Sequence, residues 1–577
     1  MSRNIDRRGF LKGAAFAGVG AAAAGFLGCS PSGEAEGTTE ATDATESATT
    51  DASGKVTNAD LQLNVTNNAE ADVVVVGAGA AGCAAAVRAA QLGLNVALIE
   101  ITDRVGGTTL FTEGMTTIHS HYHDEEPEVD IPTEELVKLI QDYHHWLSDG
   151  HIIRQMLTHS ATLLLWLESI DHKFAGLDTM IPAKWYHTWT RYAHDEGTMS
   201  GDGFVKHWSE LVTDTFSDKI TVYFGNEALQ TKVEDGAVSA VIIEDTGTKE
   251  ATEIACKAVV YATGGYADNG ALFKELVGFG EGEYQSNGAG YRTGDGLIMA
   301  RDGGAAFCRY PSATMWYGGC LPGLMYGTEL YCATAFQPLL WVNENAERFI
   351  DEEYSEHNFV FSGNGQSTQK KVFSLLTKKQ MDSFVTDGCI CGCGAYIIAG
   401  SKLDGTPTGL SMWDEYDQQV AAGNEYIHTA DTLDELAESC GLEPSKLKAT
   451  IETYNGYCEA GEDGDFAKPA EYLLPLKEED GPYYAFQLVP GVFTTVGGIK
   501  INDCCQCLTP EGEPIIGMYA AGCDAGGLEG DSYDVSICEG SQQCWCNYSG
   551  KLAAEHIAST LFDTPADDEF ANPVNWV

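Results

Sequence analysis

A run of four valines, Val73 to Val76, leads directly into Gly77-Ala78-Gly79-Ala80-Ala81-Gly82. No other juncture constrains the fold as much. The β-branched run reads as a buried parallel strand, and the Ala-rich stretch that follows reads as a helix to about Leu92. Asn95-Val96-Ala97-Leu98-Ile99 reads as a second strand ending at Glu100. This βαβ context is what the glycine pattern needs to mean a dinucleotide cradle. Gly77 permits the tight turn, Gly79 lets backbone approach a pyrophosphate, and Gly82 lets helix and strand pack closely. The helix N-terminus then presents its partial positive charge to the phosphates. Glu100, 18 residues beyond Gly82, is placed to accept hydrogen bonds from a ribose.

The stretch after Glu100 separates flavin from nicotinamide. Arg104-Val105-Gly106-Gly107-Thr108-Thr109 resembles the diglycine segment that follows the ribose acid in FAD enzymes. Ala258 to Gly265 (AVVYATGG) is a strand leading into an Ala-Thr-Gly turn. Gly517 to Asp524 (GMYAAGCD) is a strand into a turn and an acid. These segments occur in the order an FAD-binding chain requires, and they predict non-covalent FAD.

With these residues in place, the chain resembles the fumarate reductase/succinate dehydrogenase flavoprotein superfamily over most of residues 70–560, closest to its soluble, exported, single-subunit branch. Tyr291 to Gly296 (YRTGDG), Asn343 to Glu352 (NENAERFIDE) and Gly497-Gly498 are similar to that family's segments. The resemblance implies an α/β fold: a Rossmann-like FAD-binding domain, split in sequence, with an inserted α+β capping domain. The expected parts are a signal at 1–29, a flexible linker at 30–68, FAD-binding segments at 69–307 and 489–577, and a cap over the substrate at 308–488. Helical segments at 413–422, 431–440 and 444–459 fit the cap. Carried over by position, the cofactor contacts are Ala81, Gly82, Glu100, Gly107, Thr108, Thr109, Gly114, Asp295 and Asp524, beside Gly77, Gly79 and Gly106. Ala228 offers backbone to the adenine side, and Gln542 and Gln543 face the flavin ring.

The departures decide the chemistry. Where fumarate reductases carry two His and two Arg to clamp a dicarboxylate, this sequence has Ala313 to Gly319 (ATMWYGG), Phe373 to Met381 (FSLLTKKQM), Phe493-Thr494-Thr495-Val496 and Gly530 to Asp534 (GDSYD). A dicarboxylate would lose its water and gain no cation, which argues against fumarate. Trp316, Tyr317, Phe493 and Tyr533 suggest a larger, less polar, aromatic or polycyclic substrate. Reducing an activated C=C bond needs a hydride from flavin and a proton donor for the α carbon. Tyr533 is either that donor or a core aromatic against the flavin; Ser532 could relay the proton. The partial resemblance to ketosteroid dehydrogenases points to Tyr317 and Tyr533 for acid/base work. Glu329 is similar to a family proton-relay acid, although its spacing to Asn343 is about three residues long. Arg348 reads as a structural ion-pair partner.

Outside the site, acidic residues outnumber basic ones 85 to 33, a formal charge of -52 that repels nucleic acid and anionic membranes. Apolar residues at 44 % and charged residues at 20 % exclude a disordered chain. Arg7-Arg8-Gly9-Phe10-Leu11-Lys12 and the apolar stretch to Gly28 resemble a twin-arginine export signal. The expected location is periplasmic or at the cell surface, with Cys29 either lipidated or removed nearby. His119, His121 and His123 would share a face on a strand and could hold a metal, but the adjacent acids favour a loop of solvated His. The 18 Cys include clusters at 389–393, 504–507 and 538–546; an iron–sulfur cluster, disulfides and free thiols all remain open. No Cys-x-x-Cys-His haem motif occurs, so electrons would come from a separate haem- or quinol-linked partner. Three functions compete: a C=C reductase, a ketosteroid-like desaturase and a non-enzymatic electron carrier.

Overall fold

The structure is a computed structural model that describes residues 49–50, 54–179, 184–193, 200–280, 282–288, 290–309, 313–324, 327–353, 358–392, 399–406 and 409–572. The signal, Cys29, Cys393 and the side chains of Trp316 and Tyr317 lie outside the described residues. The chain forms two compact units. One holds Glu281–Asn287 and Trp316–Phe493, and the other holds the described residues before and after these two insertions.

The larger unit is organised on parallel strands. Val73–Val76 lies between Val96–Glu100 and Ala258–Tyr261, in register Val76 to Ile99 and Val76 to Tyr261. Ile220–Phe224 extends the sheet beyond Val96–Glu100, and Pro514–Ala520 extends it beyond Ala258–Tyr261. All four valines are buried, as a strand covered on both faces requires. The helix Ala80–Gln91 is buried from Ala80 to Ala90. Small side chains let it pack against the C-terminal helix Ser541–Phe562: a Cβ on Gly550 would sit 2.1 Å from the Ala81 carbonyl oxygen. The one charge on the buried part of that helix, Arg88, is paired with Glu555 at 2.7 Å and Asp568 at 2.6 Å, so its burial leaves no uncompensated charge.

Residues 54–68, expected as the end of a tether, are anchored on this unit instead. Val56 N donates to Glu275 Oε2, and Thr57 Oγ1 and Asn58 N donate to the two oxygens of Asp302. Val65–Glu70 then pairs in parallel with Ala251–Ala255. The polar composition that suggested a tether is that of an edge strand with one row of neighbours.

The smaller unit is α+β. Leu340–Asn343, Val372–Thr377, Ile427–Ala430 and Tyr483–Val496 form an antiparallel sheet. Alternation sorts its residues into two buried clusters. Trp341, Leu376, Tyr484 and Phe486 lie in one, and Leu340, Val342, Phe373, Leu375 and Ala485 lie in the other. Helices Met412–Ala421, Leu433–Cys440 and Pro444–Ala460 are present in the expected segment. Arg348 is a structural ion-pair residue, gripping Glu352 at 3.0 Å and Asp463 at 2.9 Å. The unit's bounds differ from the expected 308–488: its main piece runs Trp316–Phe493, and Glu281–Asn287 joins it separately. Gln285–Ser286 pairs with Gly491 and Val492, so the long strand stays with this sheet to Phe493. Among the described residues no helix is long and apolar enough to cross a membrane.

Candidate functional site

The glycine cradle has the geometry its spacing implied. Gly77 has φ +99°, and a Cβ there would lie 2.3 Å from the Ala262 carbonyl oxygen; a Cβ on Gly82 would lie 1.8 Å from the Gly77 carbonyl oxygen. Both positions therefore exclude a side chain. Gly79 caps the helix with no side-chain acceptor of its own. Thr109 supplies one from the next segment, its Oγ1 accepting from Ala80 N at 3.1 Å. Gly106 and Gly107, both at positive φ, turn that segment back, and Gly106 N donates to the Ala78 carbonyl at 3.1 Å. Glu100 is buried at the strand end. Its Oε2 accepts from Ala78 N, and its Oε1 accepts from Thr102 N and Oγ1, so the acid is locked in place with lone pairs to spare. Gly114 lies on a strand, where a Cβ would meet the Thr190 carbonyl at 2.4 Å. Ala228 sits at a bulge between Asn226–Glu234 and Ala237–Asp245.

Two acids flank the cradle. Asp524 is fully buried, and its carboxylate accepts from Thr263 N, Thr263 Oγ1 and Gly265 N at 2.6–2.9 Å. It thus braces the Thr263–Gly265 turn, and burial still pushes it up to about 6. Asp295 opens the helix Asp295–Asp302 and accepts from Thr293 Oγ1 at 2.6 Å. Burial, then the charges of Glu227 and Asp524, push it up to about 7. Such a wall suits hydroxyl donors and repels phosphate, whereas the N-terminus of Ala80–Gln91 suits phosphate.

The residues present fit FAD. Thr108 Oγ1, Ser541 Oγ, Gln542 Oε1 and Gln543 Nε2 are all buried with no hydrogen-bond partner among the described residues, and burying such atoms unpaired is costly. When bound, FAD supplies hydride chemistry.

Ser532 and Tyr533 lie on the loop after Asp524. Ser532 is buried and Tyr533 half-buried. The Tyr533 carbonyl accepts from Tyr143 Oη at 3.0 Å. Burial, then Glu529 and Cys523, hold its phenol well above the ordinary value, so it keeps its proton across the neutral range. Behind the loop, His144 and Glu529 form a buried pair at 2.7 Å. Sequence reasoning missed this pair; His144-His145 was visible, but its acid lay far along the chain.

Glu329 belongs to the smaller unit. Both its oxygens accept from Gly405 N, at 3.1 and 3.0 Å. Glu415 lies close by and accepts from Leu330 N at 2.6 Å. Burial pushes Glu415 up to about 7. A carboxyl raised in the folded state favours folding while protonated, and that contribution is lost as pH rises from its unfolded value through 7. Glu415→Gln should therefore gain about 2 kcal/mol over the wild type between pH 5 and pH 8, read as urea midpoints. Parallel pH profiles would show that Glu415 is ionised in the fold.

His121 and His123 lie in a short helix, His121–Glu125, whereas His119 precedes it in the exposed loop that was expected. His119 pairs with Asp130 at 2.6 Å, whereas His123 is buried and bonded to Ser120 and the His187 carbonyl. Among the described residues no cluster of three or more His, Cys, Asp or Glu is arranged to hold a metal. The sixteen described cysteines are free thiols.

Comparison with known proteins agrees with this geometry. The family model described as FAD binding domain matches residues 72–532. A vinyl phenol reductase of Lactiplantibacillus plantarum is 34 % identical over 498 residues, covering 84 % of this chain and 96 % of that protein. A urocanate reductase of Eggerthella lenta is 27 % identical, covering 79 % and 70 % respectively. The open conformation of a flavocytochrome c3 fumarate reductase superposes with a TM-score of 0.63 at 22 % identity, over 86 % of this chain and 79 % of that one. At that identity the likeness is one of fold.

Proposed function

This chain belongs to the FAD binding domain family, within the fumarate reductase/succinate dehydrogenase flavoprotein superfamily, and from that premise we propose that it saturates the activated C=C bond of an aromatic small molecule. It is an FAD-dependent oxidoreductase. The observation that carries the finer reading is Tyr533: a phenol held protonated stands on the loop where the dicarboxylate reductases place a cation. The 34 % identity to a vinyl phenol reductase favours an uncharged or phenolic substrate over a dicarboxylate.

In this reading, Tyr533 Oη holds the proton for the substrate carbon. A developing carbanion is a much stronger base than phenolate, so transfer is favourable even from a phenol held high. Ser532 passes or steadies that proton, and the Tyr143 hydrogen bond and the His144–Glu529 pair fix the loop. Tyr317 and Glu329 are the further candidates for carbonyl polarisation and proton return. Export by the twin-arginine route and a separate haem- or quinol-linked donor complete the proposal; the absent haem motif motivates the donor.

The test is stopped-flow reoxidation of the dithionite-reduced protein by vinyl phenols, hydroxycinnamates, enones, urocanate and fumarate. The expected result is rapid reoxidation by at least one aromatic alkene and none by fumarate. No alkene faster than buffer would end the reductase reading. Fumarate as the best oxidant would end the reading of a pocket without cations.

A further inference from the structure

Cys523 follows the strand Pro514–Ala520, and Cys546 lies in the second turn of Ser541–Phe562. The fold brings them to one amide: Gln542 Nε2 donates to Cys523 Sγ at 3.3 Å and to Cys546 Sγ at 3.5 Å. Gln542 and Cys546 are four residues apart on one helix face, and Thr494 Oγ1 lies 3.6 Å from Cys523 Sγ. Both thiols are half-buried, so they are sheltered from bulk solvent without being sealed in the core.

Cys523 also differs electronically from the other cysteines, its partner Cys546 included, which is raised. Burial raises Cys83, Cys256, Cys320, Cys505 and Cys544. Cys523 is lowered, chiefly by the hydrogen bond from Cys546. Two thiols gathered on one amide donor, one of them shifted toward its thiolate, are the arrangement from which disulfides form. Its place is equally specific. Cys523 adjoins Asp524, the acid that braces the cofactor turn, and the other end of the Gln542 amide, Oε1, is one of the buried atoms left for the cofactor.

We propose that Cys523 and Cys546 are a redox-active dithiol that exchanges an electron pair with the FAD held in the adjoining cradle. The proposal rests on FAD occupying that cradle. In the oxidising direction the two S–H bonds break and one S–S bond forms. The two electrons and two protons released reduce the flavin, and the reverse step restores both thiols, so atoms and electrons balance. The protein would then store two reducing equivalents beyond those of the flavin. That reserve suits an enzyme whose electron donor is a separate, intermittently docked partner.

Two readouts test it on the full-length holoprotein. Diamide oxidation, followed by cleavage after glutamate, separates the two cysteines at Glu529 and Glu539 and permits mass-spectrometric mapping. A Cys523–Cys546 cross-link, lost on reduction, is expected. Cys332 Sγ and Cys389 Sγ also lie 3.9 Å apart, so the anaerobic dithionite titration uses a Cys389→Ser background: the diamide-oxidised protein should consume four electrons per FAD there and two when Cys523→Ser or Cys546→Ser is added, with Cys458→Ser leaving the value at four. Absence of the cross-link overturns the dithiol. A cross-link with only two electrons per FAD overturns its exchange with the flavin. Colourless protein that still cross-links overturns the cofactor link alone and refers the failure to the FAD reading.

Discussion

Gly82→Ala is expected to yield protein that carries no flavin colour after purification, with FAD affinity reduced at least ~100-fold and stability lowered by roughly 3 kcal/mol or more. The added methyl would lie 1.8 Å from the Gly77 carbonyl oxygen and 3.4 Å from a Val75 methyl. Neither neighbour is a flexible side-chain end, so the helix Ala80–Gln91 must lift away from the strand that precedes it. The cradle is then lost twice over. The Gly77 turn opens, and the helix N-terminus no longer aims at the phosphates. Gly456→Ala is the matched control: it lies within Pro444–Ala460 with no atom within 4 Å of the new methyl, and it should be neutral or stabilising by up to ~1 kcal/mol. Absorbance near the flavin bands and thermal unfolding read both variants. Full flavin occupancy in Gly82→Ala would mean the cofactor is held elsewhere.

Tyr533→Phe should lower turnover by about 10²–10⁴-fold, the range for loss of a positioned general acid, while leaving FAD content and substrate binding near wild type. The ring that fills the site is kept and only Oη is removed. Rapid mixing of the reduced variant with its best alkene would show slowed flavin reoxidation. A solvent isotope effect present in the wild type should change in the variant. Tyr143→Phe should cost far less, because the Tyr143 Oη hydrogen bond goes to the Tyr533 carbonyl, at 3.0 Å, and so steadies the loop rather than supplying the proton. A drop below about fivefold in Tyr533→Phe would remove it as the donor and shift attention to Ser532.

Much of the cradle was legible before any coordinates. Gly77, Gly79 and Gly82 are spaced by the sterics of one strand, one turn and one helix, and these are local. Glu100 was legible because a parallel strand must end where its neighbour's turn begins. Thr108, Gln542 and Gln543 came from position in a resemblance, and their buried, unpaired atoms agree with it. Asp524 was named as a cofactor contact; what the sequence did not reveal is that its carboxylate also braces the Thr263–Gly265 turn. Composition misread residues 54–68, because an exposed edge strand and a tether share a polar character. The helical placement of His121 and His123 was also missed, since alternation along five residues does not distinguish a strand from a single helical turn.

By itself the sequence determined the βαβ cradle and the flavin class, since each depends on residue identity within a few positions. Only the tertiary structure decided which distant groups meet. Tyr143 and Tyr533 are 390 residues apart, and Cys523 meets Cys546 through a return of the chain along the C-terminal helix. Such contacts follow from sheet order and helix packing, which place groups by the geometry of the whole chain, and no local pattern of residues encodes them.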